Sequence, residues 1–265
     1  MSIARMMQMA AAGVSAGGVA FSPADINDLH LWLDASDAST LFQDTSKTTS
    51  ASANNDPIGC WADKSGNGFD HDQSTNAYRP YLNTSQMNLN SLSFNGSLNS
   101  NYGQWLENST CTDNITWFAA FHLTNSGVLV GQGASINGYL LFHSGTSGQS
   151  NYMGTNAGYR NANSNITMSR NVDTICSGDM VNFIRRNGVQ APMCGPFNTT
   201  PNPFDYNGGV SADIGTYIGR RGLSPTNHQP FDGYIGEVIT YDRRLSSTEI
   251  GQVESYLSKK WSITI

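Results

Sequence analysis

FDGYIGEVITYDRRLSSTEIGQVESYLSKKW, residues 231–261, changes its period halfway along. In the first half Ile235, Glu237, Ile239 and Tyr241 fall on one face of an extended segment, with the period of two that marks a strand. In the second half Ser246-Ser247-Thr248-Glu249 is a capping box, and Ile250, Val253, Leu257 and Trp261 then recur at helical spacing on a single face. A strand running into an amphipathic helix needs a surface to receive the apolar stripe of that helix. The rest of the chain offers one kind of surface, a β-sheet.

That expectation comes from the strand signals upstream. DLHLWLDAS, residues 28–36, sets Leu29, Leu31 and Leu33 against His30, Trp32 and Asp34, again with a period of two. Further strands are predicted near 92–95, 102–107, 115–123, 127–131, 138–143, 180–190, 213–219 and 233–241. Asn187-Gly188, inside FIRRNGVQ, is the strongest two-residue hairpin signal. Residues 43–57 are polar throughout and read as a surface loop. The 265 residues carry only 13% charged side chains, below the roughly 25% of an average domain, and are rich in Asn, Ser, Thr and Gly. Many short strands joined by polar turns, closed by one helix, predict an all-β fold: an antiparallel β-sandwich with a short C-terminal helix.

Composition also excludes partners. The net charge is -6, and basic residues cluster no further than pairs such as Arg220-Arg221, so no phosphate-tracking surface exists for nucleic acid. No run of eighteen or more apolar residues is present, so no membrane span is expected. Cys60, Cys111, Cys176 and Cys194 form no CxxC pair, which disfavours zinc. Cys176 and Cys194 could flank one hairpin and pair, or all four could be buried thiols.

Two blocks of the sequence, LHLWLDASDASTL to CWADKSGNGFDHDQSTNAYRPYL and the closing FDGYIGEVITYDRRLSSTEIGQVESYLSKKW, resemble the laminin-G-like, concanavalin A-like lectin/glucanase superfamily in its bacterial and phage form. The resemblance runs from about residue 24 to 262. It implies a jelly-roll sandwich over 22–265, preceded by an arm, residues 1–21.

Three carboxylates stand out as candidate metal ligands. Asp63 opens DKSGNG, whose Ser65, Gly66, Asn67 and Gly68 suit a tight turn; the alternatives are a plain turn or a structural calcium ion. Glu237 sits among large apolar side chains and needs a partner, either Arg243 or a backbone N–H, or calcium shared with Asp232. For sugar binding, Trp105, Tyr139, Tyr152, Tyr159 and Tyr217 could each supply a stacking face.

No catalytic constellation is visible. The close acidic pairs, Asp34 with Asp37 and Glu249 with Glu254, do not have the disposition of a glycosidase pair, and no Ser or Cys sits in a nucleophile elbow. The expectation drawn from this is that the chain is not an enzyme and requires no cofactor.

The arm is rich in methionine and alanine. Arg5 before a weakly apolar run, with Val14-Ser15-Ala16, reads as a leader; the alternative, taken forward, is a retained anchoring arm. Ile3, Met6, Met7 and Ala10 fall on one helical face, with Arg5 off it and Met9 nearby, and flexible thioethers suit an irregular groove on a partner. In front of a laminin-G-like domain, such an arm resembles virion proteins of tailed phages. The implied function is a capsid decoration or cement protein on the capsid exterior, homo-oligomeric and held by the major capsid protein or other virion subunits. The alternative is a lectin-like module of a tail fibre or adhesin that binds polysaccharide.

Overall fold

The computed structural model describes residues 20–97, 102–111, 116–125, 127–132, 140–143, 151–155, 158–162, 170–176, 183–190, 193–194, 215–220 and 229–265. In chain order the strands are β1 (Leu29–Asp34), β2 (Leu41–Phe42), β3 (Cys60–Trp61), β4 (His71–Asp72), β5 (Tyr81–Asn83), β6 (Ser91–Phe94), β7 (Leu106–Asn108), β8 (Thr116–Leu123), β9 (Gly127–Gln132) and β10 (Leu140–His143). They continue with β11 (Asn151–Thr155), β12 (Gly158–Ala162), β13 (Arg170–Cys176), β14 (Phe183–Arg186), β15 (Val189–Gln190), β16 (Met193–Cys194), β17 (Thr216–Ile218) and β18 (Gly233–Tyr241), and helix α1 (Ser247–Trp261) follows.

The larger sheet has the order β15-β14-β13-β8-β18-β6-β5, with β1 also paired to β18; the smaller has the order β10-β9-β17-β7-β4-β3-β2. A third, three-stranded sheet has the order β11-β12-β16. The pairings of the larger and smaller sheets are antiparallel, so the expected all-β sandwich is the fold observed. Asn187 and Gly188 take positive φ values of 47° and 74° and turn β14 into β15, the geometry that the Asn-Gly signal demands.

The two sheets share one core. Leu31, Leu33, Leu92, Phe121, Ile235 and Val238 from the larger sheet pack with Leu41, Trp61, Leu106 and Ile218 from the smaller. A second core lies on the other side of the larger sheet, where Phe118, Ala120, Ile239 and Tyr241 meet Ile250, Val253, Leu257 and Trp261 of α1. The helix therefore docks where its stripe requires. Its start is the predicted capping box, with Ser246 and Glu249 each satisfying the other's backbone N–H.

β1 and β18 depart from the simple alternation. The register of β1 against β18 slips between Leu29 and Leu31, so Leu29 packs on the helix side while Leu31 and Leu33 face the inner core, which corrects the single face read for the three leucines. The register of β18 against β8 slips between Ile235 and Glu237, a β-bulge that puts two successive residues on the same side. Ile235 thus faces the inner core while Glu237, Ile239 and Tyr241 face the helix, which corrects the single face read from the sequence. At the bulge, a Cβ on Gly236 would lie 2.6 Å from the Trp261 ring. The missing side chain lets the indole lie against the strand.

β13 is a strand that the sequence pattern did not mark. RNVDTIC does not alternate apolar with polar, yet it pairs along seven residues with β8. The arm residues Ile3, Arg5, Met6, Met7, Met9 and Ala10 lie outside the described residues. No helix among the described residues is long and apolar enough to cross a membrane.

Candidate functional site

The three carboxylates proposed as metal ligands are not brought together, and no group of three or more His, Cys, Asp or Glu suited to a metal ion occurs among the described residues. Asp63 spends both oxygens on protein donors. Oδ1 accepts from the Trp32 and Ser65 amides at 3.0 and 2.8 Å, and Oδ2 from the Ser65 hydroxyl and Phe69 amide at 2.6 and 3.1 Å. With Gly66 and Gly68 at positive φ, this is a turn pinned to β1. Asp232 Oδ1 accepts from Thr124 at 3.0 Å, at the other end of β18 from the helix clamp.

Glu237 is fully buried and is the clamp itself. Oε1 accepts from Trp32 Nε1 at 2.7 Å and Tyr256 Oη at 2.9 Å; Oε2 accepts from Trp261 Nε1 at 2.7 Å and pairs with Lys260 Nζ at 2.8 Å. Lys260 also bonds Asp34 at 2.7 Å, and Lys64 bonds Asp34 and Asp37 at 2.8 Å each. Burial pushes Asp34 up, but Lys260, Lys64 and Ser36 outweigh it and hold the carboxyl below its usual range. Glu237 is pushed upward by burial and then by Asp34, against Lys260 and Trp261. Arg243, the partner suggested by sequence, instead bonds Glu249 and Asp28. Four donors on one carboxylate leave nothing free for a ligand. This cluster holds the helix to the sheet.

The opposite side of the sandwich differs. Cys60, Asp72, Glu107 and Tyr217 face one another in turn across β3, β4, β7 and β17, and partnered residues in a sheet point to the same side. Since Trp61, Leu106 and Ile218 fill the inner core, this row lies on the outer face of the smaller sheet. Arg220 follows β17 after Gly219, whose φ is +89° and whose Cβ would collide with the Phe94 ring. Its guanidinium lies 3.4 Å from the centre of the Trp105 ring and 5.3 Å from that of Tyr217. Only 3% of Arg220 is exposed. A cation stacked on a desolvated aromatic face in this way gains from the ring quadrupole.

Trp105 extends the row into an aromatic ridge. Its ring centre is 6.0 Å from Tyr217 and 6.5 Å from Tyr78, which is 6.0 Å from Tyr102. Tyr102 is 44% exposed, and Tyr78 and Trp105 are half-buried. The loops beneath are tied down. The Trp105 amide donates to Tyr78 O at 3.0 Å, Gln73 Nε2 to Trp105 O at 3.3 Å, and Gln104 Nε2 to Arg79 O at 2.6 Å. Arg79 in turn donates to the carbonyls of Gln73, Gln43 and Ser74. A platform held by this many bonds is ordered before any ligand arrives, which lowers the entropic cost of binding.

The polar groups of this face are under strain of charge. Burial raises Glu107, opposed by Arg220 and by a hydrogen bond from Tyr217. The Tyr217 phenol is itself pushed up to about 12, by burial and then Glu107. Burial also raises Asp72, to which the Cys60 thiol is bonded. Arg220 Nε, Trp105 Nε1 and Asp72 Oδ1 are buried without a hydrogen-bond partner among the described residues. Buried polar atoms left unpaired are rare in folded proteins and mark places where water or a ligand completes the structure.

Of the five aromatic residues singled out in the sequence, Trp105 and Tyr217 meet here. Tyr139 lies outside the described residues, and Tyr152 and Tyr159 lie on β11 and β12, outside those whose side chains are described. Arg220, Glu107, Asp72, Tyr78 and Tyr102 were missed. They come from separate segments, and only the strand partners of Tyr217 could have pointed to Glu107 and Asp72. Cys60 and Cys111 are buried thiols; the Cys176 and Cys194 side chains lie outside the description.

No family model matches this chain, and no curated protein sequence matches it. Solved structures share its fold. Domain 4 of AbnA, a GH43 extracellular arabinanase from Geobacillus stearothermophilus, in complex with arabinotriose, is similar over 86% of this chain and 98% of its own, with a TM-score of 0.54 and 12% identity. Trypanosoma rangeli sialidase is similar in two complexes. With the inhibitor DANA the match covers 89% of this chain at TM-score 0.50, with a difluoro-KDN compound 93% at 0.51, each at 15% identity. This chain spans about a third of those sialidase chains, 34% and 35%. At such identities the likeness establishes the β-sandwich fold. It also corrects the expectation that the chain is not an enzyme: chains of this fold are parts of a sialidase and a glycosidase, so the exclusion of enzymes does not stand.

Proposed function

We propose that this chain is a carbohydrate-recognition β-sandwich whose binding face is the outer side of the smaller sheet. The observation that carries the reading is the aromatic ridge Trp105, Tyr78 and Tyr102, underpinned by the buried Arg220 and flanked by half-buried Glu107 and Asp72. Sugars present C–H faces that stack on aromatic rings and hydroxyls that need hydrogen-bonding groups beside them; a pre-ordered site built mostly of rings with a few convergent polar groups meets both needs. The likeness to an arabinanase domain solved with arabinotriose, matched over 98% of that domain, supports the same reading.

The test is a glycan array probed with the full chain, followed by calorimetry on the strongest binders. Trp105→Ala is expected to weaken binding about 30-fold, the loss of a central aromatic anchor worth roughly 2 kcal/mol. Absence of any glycan bound by the unaltered chain would remove the proposal.

Where the domain is mounted is the narrower part of the reading. The methionine-rich residues 1–21 support an arm that fixes it to a virion shell, as in a capsid decoration protein. Deleting residues 2–18 should abolish attachment to particles while leaving glycan binding in place.

A further inference from the structure

We infer that the face formed by Trp105, Tyr78, Tyr102, Glu107 and Asp72 selects uncharged glycans and rejects sugar acids. The inference rests on the carbohydrate reading above and names its ligand class. Its basis is the difference in accessibility between the cation of the site and its anions. Arg220 is 3% exposed, with one face of its guanidinium 3.4 Å from the centre of the Trp105 ring, whereas Glu107 and Asp72 are both half-buried. A ligand arriving at the ridge meets the Glu107 carboxylate, with Asp72 beside it half-buried and its Oδ1 turned inward, and finds the guanidinium closed off.

Glu107 and Asp72 are also direct partners across β7 and β4. Like charges at opposed positions of an antiparallel pair repel. The carboxylate of a uronic or sialic acid would add a third negative charge to the same patch. Among the described residues two further cations lie near this row: Lys47, which donates to Asp70 and draws Asp72 down only in part, and Arg79, whose guanidinium is committed to the carbonyls of Gln73, Gln43 and Ser74. At longer range the net charge of -6 acts in the same direction.

The hydrogen-bonding inventory agrees. A hydroxyl both donates and accepts, so it can answer a carboxylate as well as a ring N–H. A ligand carboxylate only accepts, and beside Glu107 and Asp72 it would place acceptor against acceptor. Neutral hexoses and pentoses therefore suit the face and acidic ones do not.

The experiment measures the affinity of the full chain for matched pairs: galacto-oligosaccharides against oligogalacturonides of equal length, and lactose against sialyllactose. The neutral member is expected to bind at least about tenfold tighter, a modest share of the cost of juxtaposing like charges. Glu107→Gln and, separately, Asp72→Asn are expected to narrow that ratio by at least about threefold, whatever they do to absolute affinity; either variant suffices if the other fails to fold. Equal or tighter binding of the acidic member overturns the inference and leaves the carbohydrate reading intact. A ratio unmoved in the folded variants also overturns it. Failure of both members of every pair, and of the wider array, overturns the carbohydrate reading and this inference with it.

Discussion

The two outer faces of the sandwich carry the same kinds of residue and treat them in opposite ways. On the larger sheet Glu237 is fully buried, yet both oxygens are saturated by Trp32, Tyr256, Trp261 and Lys260. On the smaller sheet Arg220, almost equally buried, has its Nε without a hydrogen-bond partner among the described residues and rests on Trp105. The first arrangement is what folding alone selects, because an uncompensated buried charge costs several kcal/mol and is eliminated by pairing. The second leaves polar demand unmet beside exposed rings. Tryptophan and charge together do not distinguish a structural cluster from a binding face; in these two clusters the exposure of the rings and the saturation of the charge do.

The largest effect should come from breaking the satisfied face. Lys260→Met leaves Asp34 and Glu237 buried without their shared cation, and Trp261→Ala removes a fully buried indole together with its bond to Glu237. Each is expected to lower stability by about 3 to 5 kcal/mol in denaturant titration. Trp105→Ala should cost much less than Trp261→Ala in the same titration, since its ring is only half-buried, while taking the larger toll on glycan affinity. If the two tryptophans prove equal in both measurements, the contrast between the faces is lost.

A smaller effect comes from pH. Arg243, followed by the Ser246 amide and hydroxyl, holds the Glu249 carboxyl down at about 2, and Lys64 and Ser39 hold Asp37 at about 2. Groups whose folded pKa lies below the unfolded value, about 4 to 4.5 for these carboxylates, stabilise the fold above that range and cease to as pH falls through it. The contribution of Glu249 and Asp37 to the melting temperature should accordingly hold from pH 7 to about 5 and be lost between about 4.5 and 2, while the raised carboxyls Glu237, Glu107 and Asp72 act with the opposite sign as they take up protons. Glu249→Gln should flatten part of that loss, because the charge that caps α1 and pairs with Arg243 is gone.

The smallest expected effect is that of a chelator. With all the Asp63 and Glu237 oxygens engaged by protein donors, EDTA should leave the melting temperature unchanged. A drop reversed by added calcium, the signature of a ligand bound by the native state, would reopen the metal reading.

The sequence by itself determined the architecture. Alternation in 28–36 and 233–241, the Asn187-Gly188 turn and the capping box at Ser246 are local signals, and local sterics and hydrogen bonding are enough to make strands, a hairpin and a helix start. The helix stripe Ile250, Val253, Leu257 and Trp261 likewise had to be covered by something. Tertiary structure decided the rest, for three physical reasons. The bulge at Gly236 moved Glu237 to the opposite side from Ile235, and a shift of one residue exchanges faces in a way that no composition reveals. β13 is a strand because β8 pairs with it along its length, so long-range hydrogen bonds overrode a weak pattern. The ridge joins Tyr78, Tyr102, Trp105, Tyr217 and Arg220 from segments up to about 140 residues apart, and only sheet pairing brings such distant side chains onto one face.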